Sequence, residues 1–154
     1  MHILNLEDNV FKHHDICRAI ERGSFENLKI DCVGNLADGL SKIEGAISKG
    51  KPYDLIITDM WYPEKSGGAD NNSGEILIKE VRERGWDVPI ILCSSVNYCY
   101  PGILGSIHYS EKEDWETELV KLIRTESTRS KITAGVFLNN IERLLCEVIN
   151  NGNN

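Results

Sequence analysis

The chain has 154 residues, 41% of them hydrophobic and 27% charged, with a formal net charge of -7 at pH 7. That is enough for one domain with a full core and too little for a second catalytic domain. The acidic balance excludes the basic field on which non-specific nucleic-acid affinity rests, so no nucleic-acid partner is expected.

No stretch approaches the roughly 18 apolar residues of a membrane span. Met1 leads into a strand pattern without a basic flank, so a cytoplasmic protein with no membrane partner is expected. The five cysteines, Cys17, Cys32, Cys93, Cys99 and Cys146, form no CxxC pair and have no histidine at zinc-finger spacing. Three of them sit in apolar runs and read as buried thiols of a reducing compartment.

The first element is a short apolar strand at 2–6, HILNL, which runs into Glu7, Asp8 and Asn9. Adjacent acids at a strand end repel unless a positive charge lies between them, which is a metal-site signature. Asp8 or Asn9 can also cap the helix that follows. That helix, 10–22, carries Val10, Phe11, Ile16, Cys17 and Ile20 at helical spacing and stops at Gly23, and His13 and His14 read as part of its solvated face. A second strand at 28–33 is followed by a helix on Leu36, Leu40, Ile43 and Ile47, ended by Gly50 and Pro52.

The organising stretch is YDLIITDMWYP, 53–63. Leu55, Ile56 and Ile57 show no alternation, as a central parallel strand covered on both faces requires. Asp59 ends that run, at the carboxyl edge where open α/β sheets bind ligands. A polar, glycine-rich loop at 64–73 follows, then a helix on Ile76, Leu77, Ile78 and Val81, with Ser73 as its expected cap. VPIILC, 88–93, is a fourth buried strand ending in Ser94 and Ser95. Residues 97–102 leave little room for a regular fourth helix. A fifth strand at 103–109 and a helix carrying Trp115, Leu119, Leu122 and Ile123 come next. Thr125 to Ser130 reads as a hinge before an amphipathic helix at 132–149, so the expected division is 1–126 and 127–154.

The alternation predicts an α/β fold, a doubly wound five-stranded parallel sheet with a shortened fourth helix and an extra C-terminal helix. LEDN at 6–9, DLIITDMWYP and VPIILCSS resemble the receiver domain of bacterial response regulators, the CheY-like fold, over about 1–125. The resemblance implies that Asp59 is a phosphoacceptor and that Glu7, Asp8, Asp59 and the Trp61 backbone carbonyl hold Mg²⁺. It makes Ser94 the switch hydroxyl and a histidine kinase or phosphotransfer protein the donor. The function it implies is a signalling domain of two-component signal transduction, not an enzyme, able to take a phosphoryl group from a small donor.

Three departures qualify the resemblance. The family's lysine at the end of the fifth strand falls here on His108 or Tyr109, with Lys112 the nearest amine. The fourth-helix region is short, and the loop at 64–73 is enlarged beside Trp61. No DNA-binding region follows in the sequence, so a stand-alone receiver with output by protein contact is expected, with a homodimer through the last helix among the options. The alternative is a pseudo-receiver, a phosphorylation-independent interaction module. A flavodoxin-type cofactor site is disfavoured, because the first strand-helix turn offers acids where a phosphate needs amides.

Overall fold

The structure is a computed structural model that describes residues 1–152. Five strands, β1 (His2–Leu6), β2 (Lys29–Val33), β3 (Leu55–Thr58), β6 (Ile90–Ser94) and β7 (Gly105–His108), form one sheet in the order β2-β1-β3-β6-β7. Every pairing in it is parallel. Two short strands, β4 (Tyr62–Pro63) and β5 (Asp70–Asn71), make a separate antiparallel ribbon. The helices are α1 (Val10–Arg22), α2 (Leu36–Ser48), α3 (Ser73–Glu83) and α4 (Trp115–Gly152).

β1, β3 and β6 are buried along almost their whole length, which explains their unalternated apolar sequences. On one face Leu4, Leu6, Ile56 and Ile90 pack with Leu36 and Ile43 of α2 and Leu77, Ile78 and Val81 of α3. α1 meets the other face, where its His13 Nδ1 lies 2.9 Å from Asn5 Nδ2. His13 is therefore half-buried while His14 is exposed, a partial departure from the solvated pair expected of them.

No helix lies between β6 and β7, so the short fourth helix of the sequence reading is absent altogether. The chain divides into two compact units, 1–120 and the segment from Lys121 onward. The expected hinge at 125–130 is helical, and the helix after β7 and the C-terminal helix are one element of 38 residues. Ser73 is the first residue of α3 rather than its cap: Asn72 holds the cap position without a side-chain bond, and the Ser73 hydroxyl donates to the Tyr62 carbonyl at 2.5 Å. Of the cysteines only Cys93 is buried; Cys17 is half-buried and Cys32, Cys99 and Cys146 are exposed.

Candidate functional site

The sheet register brings the sequence-predicted acids to one edge. Leu6 is level with Thr58, Thr58 with Leu92, and Ser94 with His108. The ladder continues one residue further: Glu7 N donates to Val33 O at 3.0 Å, Asp59 N to Leu6 O at 3.0 Å, and Tyr109 N to Ser94 O at 2.8 Å. Glu7, Asp59 and Tyr109 are thus fixed by backbone bonds where their strands stop. Asp59 is further pinned by Gly74 of α3, where a Cβ would lie 2.2 Å from Asp59 O and 2.8 Å from Met60 Cα. Only glycine allows the helix to approach the Asp59 backbone this closely.

Lys12 occupies the centre of this edge. Its side chain is 8% exposed, and its ammonium lies 2.7 Å from Glu7 Oε2 and 3.3 Å from Asp59 Oδ1 and donates to Cys93 O at 2.8 Å. The ring of Tyr109 covers the ammonium, with its centroid 5.5 Å away. Burial works against the charged amine, but Glu7 and then Asp59 outweigh it and raise the Lys12 pKa, so the amine stays protonated. Burial raises the Glu7 pKa more strongly than Lys12 lowers it. Glu7 also accepts the Asn9 N–H at 3.0 Å through Oε1. Its Oε2 pairs with the ammonium at 2.7 Å, the contact that works against burial in setting its pKa.

The start of α1 explains how a lysine reaches this place. Asn9 caps the helix, its Oδ1 accepting from the N–H groups of Phe11 and Lys12 at 3.0 and 3.1 Å. The inward face of the helix is then Lys12, Ile16, Ala19 and Ile20. Val10 and Phe11, read from sequence as apolar-face positions, are 63% and 82% exposed. The signal for Lys12 was present as a lysine four residues ahead of Ile16, on the buried stripe.

The remaining predicted residues divide. Asp8 is exposed on the solvent side of Glu7. Loss of hydration at its carboxyl, then Asp70 of the β4–β5 ribbon, then Asp59 hold its pKa above the usual carboxylate range. The loop at 64–73 is therefore a tied structure that brings Asp70 towards the acids, its base closed by Asn71 Nδ2 donating to Glu64 Oε1 at 2.6 Å. Ser94 is buried at the end of β6, and its hydroxyl accepts from Val96 N at 3.3 Å. Trp61 is half exposed, with its indole N–H donating to Tyr98 OH at 2.8 Å.

Lys112 is exposed and makes no ion pair among the described residues; the ammonium beside Asp59 is that of Lys12. His108 is engaged outside the acids, pairing with Glu113 at 2.9 Å and with Ser95 O at 3.1 Å. Tyr109, at the strand end, donates its hydroxyl to Asp15 Oδ2 at 2.5 Å and stacks on Trp115 at 4.9 Å.

Among the described residues no group of three or more His, Cys, Asp and Glu side chains is arranged to hold a metal ion. Mg²⁺ asks for less, because it keeps several waters and uses one or two carboxylates with phosphate oxygens. Asp8 and Asp59 supply such a pair of carboxylates, each a negative charge that the other feels. The donor chemistry of Asp8 and Asp59 fits the ion, and Glu7, the third acid expected to hold it, is buried and paired with Lys12.

The sheet order and this edge define the fold of a response-regulator receiver domain. Solved structures that share it include a LuxR-family DNA-binding response regulator from Staphylococcus aureus, at 17% identity and TM-score 0.58, covering 81% of this chain and 97% of that one. The signal receiver domain of a Luxo repressor protein from Vibrio parahaemolyticus matches at 17% identity and TM-score 0.62, covering 88% and 95%. The phosphorylated cyanobacterial phytochrome response regulator RcpA matches at 17% and 0.59, covering 80% and 89%. No family model matches the sequence, and no curated protein matches it. No helix among the described residues is long and apolar enough to cross a membrane.

Proposed function

We propose that the chain is a receiver domain of two-component signal transduction that accepts a phosphoryl group on Asp59 from a histidine kinase or phosphotransfer protein and signals by protein contact. The observation that carries this reading is the Asp59 carboxylate at the open end of the central strand, held by the Leu6 and Gly74 backbone contacts and faced by a buried ammonium. A carboxylate nucleophile needs no general base, so its requirements are position and compensation of charge.

Asp8 and Asp59, with the Trp61 carbonyl, would hold Mg²⁺. The ion would offset repulsion between the carboxylate and the incoming phosphoryl oxygens. Buried Ser94, next to the Lys12-bonded Cys93 carbonyl, is the hydroxyl that would follow the phosphoryl group.

The test is intact mass after incubation with phosphoramidate and Mg²⁺. One added phosphoryl group on the wild type and none on Asp59→Asn is the expected result. An unmodified wild type would overturn the reading.

One observation favours the pseudo-receiver as the second reading. Lys12 already compensates Glu7 and Asp59, so retention of those acids does not by itself require a metal. An unmodified wild type that still binds a protein partner is the outcome this reading expects.

The second unit suits self-association. Phe137, Ile141, Leu144 and Val148 are exposed and spaced four, three and four residues apart, the repeat of a two-stranded coiled coil. We propose a second copy of this chain as their occupant.

A further inference from the structure

We propose that Lys12, delivered from the first turn of α1, is the residue that holds the phosphoryl group on Asp59. It replaces a cation at the end of the fifth sheet strand, where the chain has Tyr109. The inference rests on the phosphoacceptor reading of Asp59 and deepens it.

Four contacts carry the assignment. The ammonium is within 3.3 Å of the Asp59 carboxylate, within 2.7 Å of Glu7 and 2.8 Å from Cys93 O. The face of Tyr109 closes its remaining side. A lysine buried for packing alone would keep its ammonium in water by snorkelling along the helix surface. This one is turned into the sheet edge and bound by groups at the ends of β1, β3 and β6. No other ammonium or guanidinium among the described residues pairs with Asp59.

The transfer balances without a further reactant. With phosphoramidate, an Asp59 oxygen bonds phosphorus as the P–N bond breaks. The nitrogen, already protonated, keeps the electron pair and leaves as ammonia. Negative charge at Asp59 increases in the product, and Lys12 is the adjacent positive group. Its bonds to Glu7 and Cys93 O compete with the one it makes to the phosphoryl oxygens. Capture of the phosphoryl group therefore loosens the tie between α1 and the end of β6, next to Ser94.

The experiment compares wild type, Lys12→Met/Glu7→Gln, and that double variant with Tyr109→Lys added. The Glu7 change prevents a buried carboxylate from being left unpaired. Circular dichroism and thermal melts establish that each is folded. Phosphorylation by phosphoramidate is followed by intact mass, and beryllofluoride affinity by Trp61 fluorescence.

We expect the double variant to be modified about a hundredfold more slowly, the size of effect seen when one preorganised charge-stabilising group is removed. We expect weaker beryllofluoride binding in parallel, and recovery of at least part of both when Tyr109→Lys returns an amine from the strand. Wild-type rates and affinity in the folded double variant would overturn the assignment of Lys12 while leaving the phosphoacceptor reading intact. An unmodified wild type would overturn that reading and this inference with it.

Discussion

At the scale of single residues, the acids of the site were legible and its cation was not. Glu7, Asp8, Asp59 and Ser94 could be read because each follows an apolar run, and the run fixes where a strand ends. Lys12 was hidden by Val10 and Phe11, two apolar residues that pattern reading assigns inward and that the Asn9 cap turns outward. Capping set the phase of α1, and a shift of one or two positions exchanged a phenylalanine for a lysine on the buried face. Lys112 was favoured because it lies near the end of the fifth strand in sequence, yet the amine that reaches Asp59 crosses from α1.

Two predictions belong to this scale. Gly74→Ala forces a Cβ against the Asp59 carbonyl and Met60 Cα, both backbone atoms that cannot rotate away. It should cost about 1–3 kcal/mol in urea unfolding, as overpacking does, and reduce modification of Asp59 in the same protein. Unchanged stability and unchanged modification would contradict the close approach.

The second concerns Asp15, whose pKa is lowered from 3.8 chiefly by the Tyr109 hydroxyl and then by Arg18. A lowered carboxyl pKa stabilises the fold above 3.8, and that contribution is lost as pH falls through the lowered value. Tyr109→Phe should therefore reduce the unfolding midpoint near neutral pH. The gap to wild type should narrow as the solution is acidified below 3.8. A gap that stayed constant with pH would assign the effect to packing alone.

At the scale of elements, strands were easier to read than the end of the chain. The buried strands declare themselves by β-branched runs without alternation. The segment 125–130 contains no glycine or proline, and its polarity alone suggested a hinge. In the structure it is helical: Arg129 pairs with Glu126 one turn back, and the Thr125 hydroxyl is satisfied within the helix by Lys121 O at 2.9 Å.

Polar composition marks exposure, which is a different property from helix breaking. The consequence for α4 is an exposed apolar seam at heptad spacing. Sedimentation equilibrium should find a concentration-dependent dimer for the wild type and a monomer for Ile141→Glu/Leu144→Glu. A monomeric wild type across the micromolar range would exclude the self-paired seam.

At the scale of the whole molecule, sheet order follows from alternating strands and helices with right-handed crossovers, and the edge where Asp59 stands follows from sheet order. What pattern reading could not supply was traffic across that edge: the ribbon that brings Asp70 towards Asp8, and α1 bringing Lys12 to groups on three strands. Both depend on side chains distant in sequence meeting in space. Mutating Asp59 tests the whole arrangement, because an Asp59→Asn chain that still gained a phosphoryl group would relocate the chemistry away from this edge.

The position of Lys12 also has a bearing on the order in which the site is made. Glu7 and Lys12 are close in sequence and are joined by an ion pair across the Asn9 cap. A lysine at the end of the fifth strand would leave the ribosome some fifty residues after Asp59 (109 − 59 = 50). Here the counter-charge leaves it first. In the folded protein that one ammonium pairs with both Glu7 and Asp59, and so offsets the repulsion between acids at the ends of neighbouring strands.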